Sequence, residues 1–214
     1  MTNEIRAVLW DFGGVILSSP FEAFNRYEAD RGLPRDIIRQ VNATNPDTNA
    51  WALLERNDIT PAEFDDLFAN ESKRLGHRIP GADVLALLAG DVRPAMVAAL
   101  DHVIASGFQT ACLTNNVVST SPDPTPRQKE VAAIMAKFDH VVESSKVGCR
   151  KPELRFYEIA CELLNVSPTQ CVFLDDLGIN LKPAAAMGMR TIKVGEPTAA
   201  LRELSDHLGL QFEF

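Results

Sequence analysis

Six residues of this 214-residue chain have types and spacings that could do chemistry together. Asp11 ends the apolar run Ala7-Val8-Leu9-Trp10 and is followed by Phe12 and the pair Gly13-Gly14. Thr114 and Asn115 follow a short apolar run at 110–113, and Asp175 and Asp176 follow another at 171–174. Lys151 stands before Pro152, at the head of a helical stretch. A carboxylate such as Asp11 can act as a nucleophile once its own charge and that of its substrate are offset. Asp175 and Asp176 beside it would repel it strongly without a cation, and an all-oxygen ligand set suits Mg²⁺. The Thr114 hydroxyl and the free backbone N–H groups of the Gly13-Gly14 turn can bind phosphate oxygens. Lys151 supplies the compact positive charge that a phosphate and a nucleophile both need.

These groups converge only if the elements beneath them run parallel. Short, continuous apolar runs are the pattern of strands buried on both faces of a parallel sheet. Such runs are expected at 7–10, 110–113, 140–142, 171–174 and 191–194. Between them helices are expected at 94–106, 127–138, 152–165, 180–187 and 197–208, with Pro94 opening the first and Gly107 ending it. This alternation predicts an α/β fold with a doubly wound, mainly parallel sheet. All the polar strand ends then lie on one edge of it, where open α/β sheets place their ligands. Pro122, Pro124 and Pro126 predict a stiff loop over 119–126. Residues from about 20 to 90 differ, showing helical spacing and little strand signal. Thr60-Pro61-Ala62-Glu63 reads as a capping box, ahead of Phe64, Leu67 and Phe68 on one face. Residues 42–49 are polar and read as a loop. Two parts follow: an α/β core at 1–17 and 91–214, and a helical insert at 18–90.

Composition sets further bounds. Hydrophobic residues are 46% and charged residues 23%, ordinary for a globular protein with a real core. A formal charge of −8 argues against a nucleic-acid surface. Cys112, Cys149, Cys161 and Cys171 are widely spaced and read as buried thiols of a reduced compartment. No apolar run approaches the roughly 18 residues of a membrane span, and no basic-then-apolar leader opens the chain. A cytoplasmic protein without nucleic-acid or membrane partners is expected, as monomer or homodimer. His77, His102, His140 and His207 have no partnered spacing and read as structural or exposed. Lys146 and Arg150 read as solvated. Trp51 reads as core of the helical insert, although it and Arg56 could face a substrate.

The stretches WDFGGVILSSP at 10–20, LTNN at 113–116, ESSKVGCRKPE at 143–153 and FLDDLGINLKPAAAMGM at 173–189 resemble the haloacid dehalogenase superfamily. Within it, the chain is similar to the N-terminal phosphatase domain of soluble epoxide hydrolase and its stand-alone relatives. The resemblance implies a Rossmann-like core with an inserted helical cap over residues 18–90. It implies that Asp11 accepts the phosphoryl group, that Thr114 and Asn115 bind phosphate, and that Lys151 stabilises charge. It implies a Mg²⁺ site of Asp11, Asp176 and the backbone carbonyl of Gly13, with Asp175 assisting directly or through water. Phe12 and Gly13 are expected beside the substrate, a small phosphorylated molecule. One position departs from the pattern: phosphatases of this superfamily usually carry an acid/base aspartate two residues after the nucleophile, and here Gly13 stands there.

The leading expectation is therefore a Mg²⁺-dependent phosphomonoesterase working through an aspartyl-phosphate. Two alternatives use the same residues. A metal-free 2-haloacid dehalogenase would displace halide with Asp11, but the Asp175-Asp176 pair would then crowd the nucleophile uncompensated. A phosphate-binding protein without turnover would explain the missing acid/base.

Overall fold

The computed structural model describes residues 4–117 and 125–212. Among these residues the sheet has five parallel strands: β1 (Ala7–Trp10), β2 (Gln109–Thr114), β3 (His140–Glu143), β4 (Cys171–Asp175) and β5 (Arg190–Lys193), in the order β3-β2-β1-β4-β5. The apolar runs form strands because each strand is buried on both faces. Val8 and Trp10 of β1, with Val172 and Leu174 of β4, enter one core cluster, while Ala7, Leu9, Cys171 and Phe173 enter another on the opposite face. The four cysteines are buried and unpaired, as the spacing predicts.

Helices between the strands, and one after the last, cover those faces. The first cluster takes Met96, Leu100 and Val103 from α6 (Pro94–Ala105) and Leu201 and Leu204 from α11 (Pro197–Leu208). It also takes Ile134 from α7 (Pro126–Met135). The second takes Phe156, Tyr157 and Ala160 from α9 (Leu154–Leu164) and Leu181 and Ala184 from α10 (Gly178–Ala186). A short α8 (Ser144–Val147) leads from β3 toward α9. The chain steps from β1 to β3 in one direction and then crosses to β4 and β5. Its crossover helices change face at that reversal, leaving a switch point beside β1.

Residues behind β1 form the remaining helices: α1 (Phe21–Asp30), α2 (Ile37–Ala43), α3 (Ala50–Glu55), α4 (Pro61–Arg74) and α5 (Gly81–Ala86). They enclose a cluster of their own, with Phe24, Ile38, Leu54, Phe64, Phe68 and Ile79 among its buried members. The capping box at the start of α4 is present, with Thr60 N–H donating to Glu63 Oε2 at 2.7 Å and Glu63 N–H to Thr60 Oγ1 at 3.2 Å. The chain enters and leaves this segment side by side. Leu17 and Val92 form an antiparallel bridge, Ser18 N–H donates to Asp91 O at 2.7 Å, and Arg93 N–H donates to Ile16 O at 2.9 Å.

The helix at 197–208 has the expected bounds, and the other core helices differ from those expected by no more than three residues at either end. Pro126, expected within the loop, instead opens α7, because a proline at the first helical position gives up only an amide that has no helical partner anyway. The expected stiff loop otherwise lies outside the described residues, as do Pro122 and Pro124. Among the described residues no helix is long and apolar enough to cross a membrane.

Candidate active site

Parallel register does what the sequence pattern requires of it. Trp10 pairs with Leu174, so Asp11 stands level with Asp175, and its N–H donates to Leu174 O at 2.8 Å. Asp11 therefore projects from the carboxyl edge at the switch point, with Thr114 ending the neighbouring β2. Lys151 arrives from the loop ahead of α9 and is 1% exposed. Its Nζ donates to Asp11 Oδ1 at 2.7 Å and to Asp175 Oδ2 at 2.7 Å.

Each carboxylate is held differently. Asp11 Oδ1 also accepts from Phe12 N–H at 2.7 Å. Asp175 is fully buried, and both its oxygens have protein donors: Leu177 N–H reaches Oδ1 at 2.8 Å, and Asn180 Nδ2 reaches the two oxygens at 3.1 and 3.0 Å. Asp176 is partly exposed, and Oδ2 accepts from Ser19 Oγ at 3.3 Å. One ligand oxygen from each of Asp11, Asp175 and Asp176 lies within 4.8 Å of the others.

The site carries three carboxylates against one ammonium, and its electrostatics follow. Burial pushes the Asp11 carboxyl well above its usual range; Lys151 opposes this, and Asp175 and Asp176 add to it. Burial and the neighbouring Asp175 push Asp176 up from 3.8 to about 6. Burial alone would lower the Lys151 ammonium, but Asp11 and Asp175 more than offset it and hold the lysine protonated. Three clustered oxygens with an excess of negative charge match what a small divalent cation requires.

The glycine pair divides the work. Gly14 adopts φ +78°, and a Cβ there would lie 2.3 Å from Asp176 Cγ, so only glycine lets that carboxylate lie against the turn. Arg93 Nη1 donates to Gly14 O at 2.8 Å and pins the turn from below. Gly13 has φ −70° and ψ 131°, an ordinary extended conformation, and nothing lies within 4 Å of a Cβ built on it. The glycine at the acid/base position thus answers to no local steric demand.

Other expected residues fall less simply. Thr114 is buried at the end of β2. The Phe12 ring lies in the core, so its backbone alone borders the site. Asn115 spends its side chain on Lys151: Oδ1 accepts from Lys151 N–H at 2.9 Å and Nδ2 donates to Lys151 O at 3.0 Å. Arg150, expected to be solvated, is not. Its side chain is 13% exposed and donates through Nε to Glu55 Oε2 at 2.5 Å, because α3 docks a buried carboxylate against this loop. Arg56 pairs with Glu153 at 2.6 Å, and Trp51 packs in the helical cluster with Nε1 donating to Glu55 Oε1 at 2.9 Å. None of the four histidines is buried.

Sequence reasoning missed Glu55, Ser19, Arg93 and Asn180. Asn180 alone left a signal, as a polar residue in the first turn of the helix that follows the aspartate pair.

The five-stranded parallel sheet thus carries a carboxylate–lysine centre at its switch point, where α/β sheets bind their ligands. The chain belongs to the haloacid dehalogenase-like hydrolase family, whose pattern matches residues 5–188. It is 33% identical over 97% of its length to mouse acyl-CoA dehydrogenase family member 10, and 32% identical over 97% to mouse bifunctional epoxide hydrolase 2. The chain spans 19% and 40% of those proteins, respectively. A Mycobacterium tuberculosis protein named phosphatase MT3486 is 31% identical over 89% of this chain and 88% of its own. By structure the chain resembles a haloacid dehalogenase family enzyme from Bacteroides thetaiotaomicron solved with magnesium and inorganic phosphate. The TM-score is 0.60 at 19% identity, covering 92% of this chain and 98% of that one. The expected family and the epoxide hydrolase likeness are thus both found.

Proposed function

We propose that this protein is a Mg²⁺-dependent phosphomonoester hydrolase that works through a phosphoaspartate on Asp11. The observation that carries the reading is the charge imbalance: Lys151 lies 2.7 Å from both Asp11 and Asp175, with Asp176 clustered beside them. A relative named a phosphatase over nearly its whole length supports it. Asp11, Asp176 and the backbone carbonyl of Gly13 would hold the metal, with Asp175 assisting. The metal, when bound, supplies positive charge opposite the phosphate oxygens.

In the first step Asp11 Oδ2 attacks phosphorus, the P–O bond to the leaving group breaks, and the alkoxide or phenoxide departs with the electron pair. In the second, water attacks the phosphorus of the acyl phosphate, its proton passes to the released phosphate, and the P–O bond to Asp11 breaks to return the carboxylate. Lys151, kept charged by its two carboxylates, neutralises Asp11 and the transferring oxygens. The Thr114 hydroxyl and the backbone amides after Asp11 bind the remaining phosphate oxygens. Residues 18–90 act as a cap over this edge and select the substrate. Gly13 offers no proton donor, so esters with stable leaving anions are the better substrates.

The test is release of phosphate from aryl and alkyl phosphates and of halide from 2-chloropropionate, each with Mg²⁺ and with EDTA. Phosphate release that requires Mg²⁺ is expected. Halide release in EDTA without phosphate release would overturn the reading in favour of the dehalogenase.

A further inference from the structure

Glu55 is a buried carboxylate, 6% exposed, that the chemistry above does not use. It ends α3 in the helical segment, yet its bonds reach the loop carrying Lys151. Oε2 accepts from Arg150 Nε at 2.5 Å and from Asn115 Nδ2 at 3.2 Å, and Oε1 accepts from Trp51 Nε1 at 2.9 Å. Asn115 in turn holds both backbone groups of Lys151 at 2.9 and 3.0 Å. Those two bonds set the orientation of the carboxamide, because the lysine N–H must face Oδ1 and the lysine C=O must face Nδ2. Glu55 then reaches Lys151 through Asn115 and its neighbour Arg150 directly. Arg150 Nη1 also donates to Pro46 O at 3.0 Å, so the helical segment grips this loop at two places.

We infer that Glu55 is a positioning residue. It fixes Asn115 and Arg150, and through them the backbone from which the Lys151 side chain reaches Asp11. The seating of the helical segment is thereby passed to the lysine through these two residues. A pair buried to this degree holds geometry strongly, since removing one partner leaves the other charge and two donors unmet. The inference rests on Lys151 acting at Asp11 as proposed above. A second pair, Arg56 just past the end of α3 with Glu153 just ahead of α9, joins the same two segments and serves as the control.

The experiment measures kcat and KM for p-nitrophenyl phosphate with Mg²⁺, and amide hydrogen exchange at Lys151, in the full chain. Glu55→Ala is expected to lower kcat by about tenfold to a hundredfold, the usual cost of slight misplacement of a reacting group. KM should change by less than about threefold. Exchange at the Lys151 amide should quicken while the β1 amides stay slow. Glu55→Gln keeps an acceptor for Asn115 and should recover part of kcat. In an Asn115→Ala background, Glu55→Ala should cost little more, because its route to the lysine is already cut. Arg56→Gln should leave kcat within about twofold. Unchanged Lys151 exchange in Glu55→Ala, or fully additive kcat losses in the double variant, overturns the inference. If Glu55→Ala does not fold, Glu55→Gln carries the test, because it loses the charge pair with Arg150: kcat and Lys151 exchange both equal to those of the wild type then overturn the inference. Absence of wild-type turnover would count against the proposed function alone, because hydrogen exchange still reads the Glu55 to Lys151 coupling.

Discussion

Two groups of charge meet at Lys151 and its neighbours, and they are built on opposite plans. At the sheet edge, Asp11, Asp175 and Asp176 face one ammonium. Where α3 meets the lysine loop, Glu55 pairs with Arg150 and Arg56 with Glu153, two charges of each sign. The junction is balanced as it stands. The sheet edge is not, and burial together with Asp175 lifts Asp176 to about 6. A protein that keeps like charges together accepts a cost in stability, which a bound cation and a phosphate ester can offset. Balance is what a contact between two packed segments needs, and imbalance is what the proposed metal and phosphate site would draw on.

Removing the proposed nucleophile should show the widest gap between the two groups. Asp11→Asn is expected to lower kcat on the order of 10⁴-fold, about 5 kcal/mol of transition-state stabilisation. The same change lightens an overcharged centre, so the metal-free melting temperature should not fall. A lost fold together with lost activity would show that Asp11 is structural.

The glycine pair gives the next largest effect, in opposite directions at adjacent positions. Gly14→Ala would drive its Cβ into the Asp176 carboxylate, 2.3 Å away, at a positive φ. Turnover should drop by about 10²–10³-fold, with weaker Mg²⁺ binding in a calorimetric titration. Gly13→Asp meets nothing within 4 Å and should fold normally. It should raise alkyl-phosphate turnover by about 10-fold or more and aryl-phosphate turnover less, since a placed acid/base helps poor leaving groups most. Equal effects on both classes would show that another group already delivers the proton.

A smaller effect tests the imbalance through pH. The Asp176 carboxyl is raised from 3.8 to about 6 in the folded chain, so the folded state binds more protons than the unfolded state between those values. Stability of the metal-free protein should therefore fall as pH rises from about 4 to about 6. The slope should flatten in Asp176→Asn and in saturating Mg²⁺. The difference is on the order of 1 kcal/mol, read as about 2–4 °C in melting temperature. A slope that persists in both conditions would assign it to other groups.

The balanced junction should yield least. The side chains of Arg56 and Glu153 are 18% and 36% exposed, so Arg56→Gln should cost about 0.2–1 kcal/mol in a denaturant titration. A cost several times larger would mean that the junction, and not the helical cluster, holds α3 in place.

The sheet-edge centre was legible in the chain because each of its parts lies beside a local signal. Asp11, Thr114 and Asp175 each end a short apolar run, and parallel strands bring all such ends to one edge whatever their separation. Apolar periodicity likewise announced the helices of 18–90 and the capping box at Thr60. The junction left no such trace. Glu55 lies 60 residues from Asn115 and 95 from Arg150, and a glutamate ending a helix beside an arginine reads as a solvated pair. Arg150 was misjudged for the same reason. Burial of a charge depends on which surface docks over it, and docking is a property of two distant segments at once. Local patterning therefore determined the strands, their polar ends and the kind of chemistry those ends can support. Only the packing of α3 on the Lys151 loop decided which charges are buried together, because that choice is made by the whole helical cluster against the whole sheet.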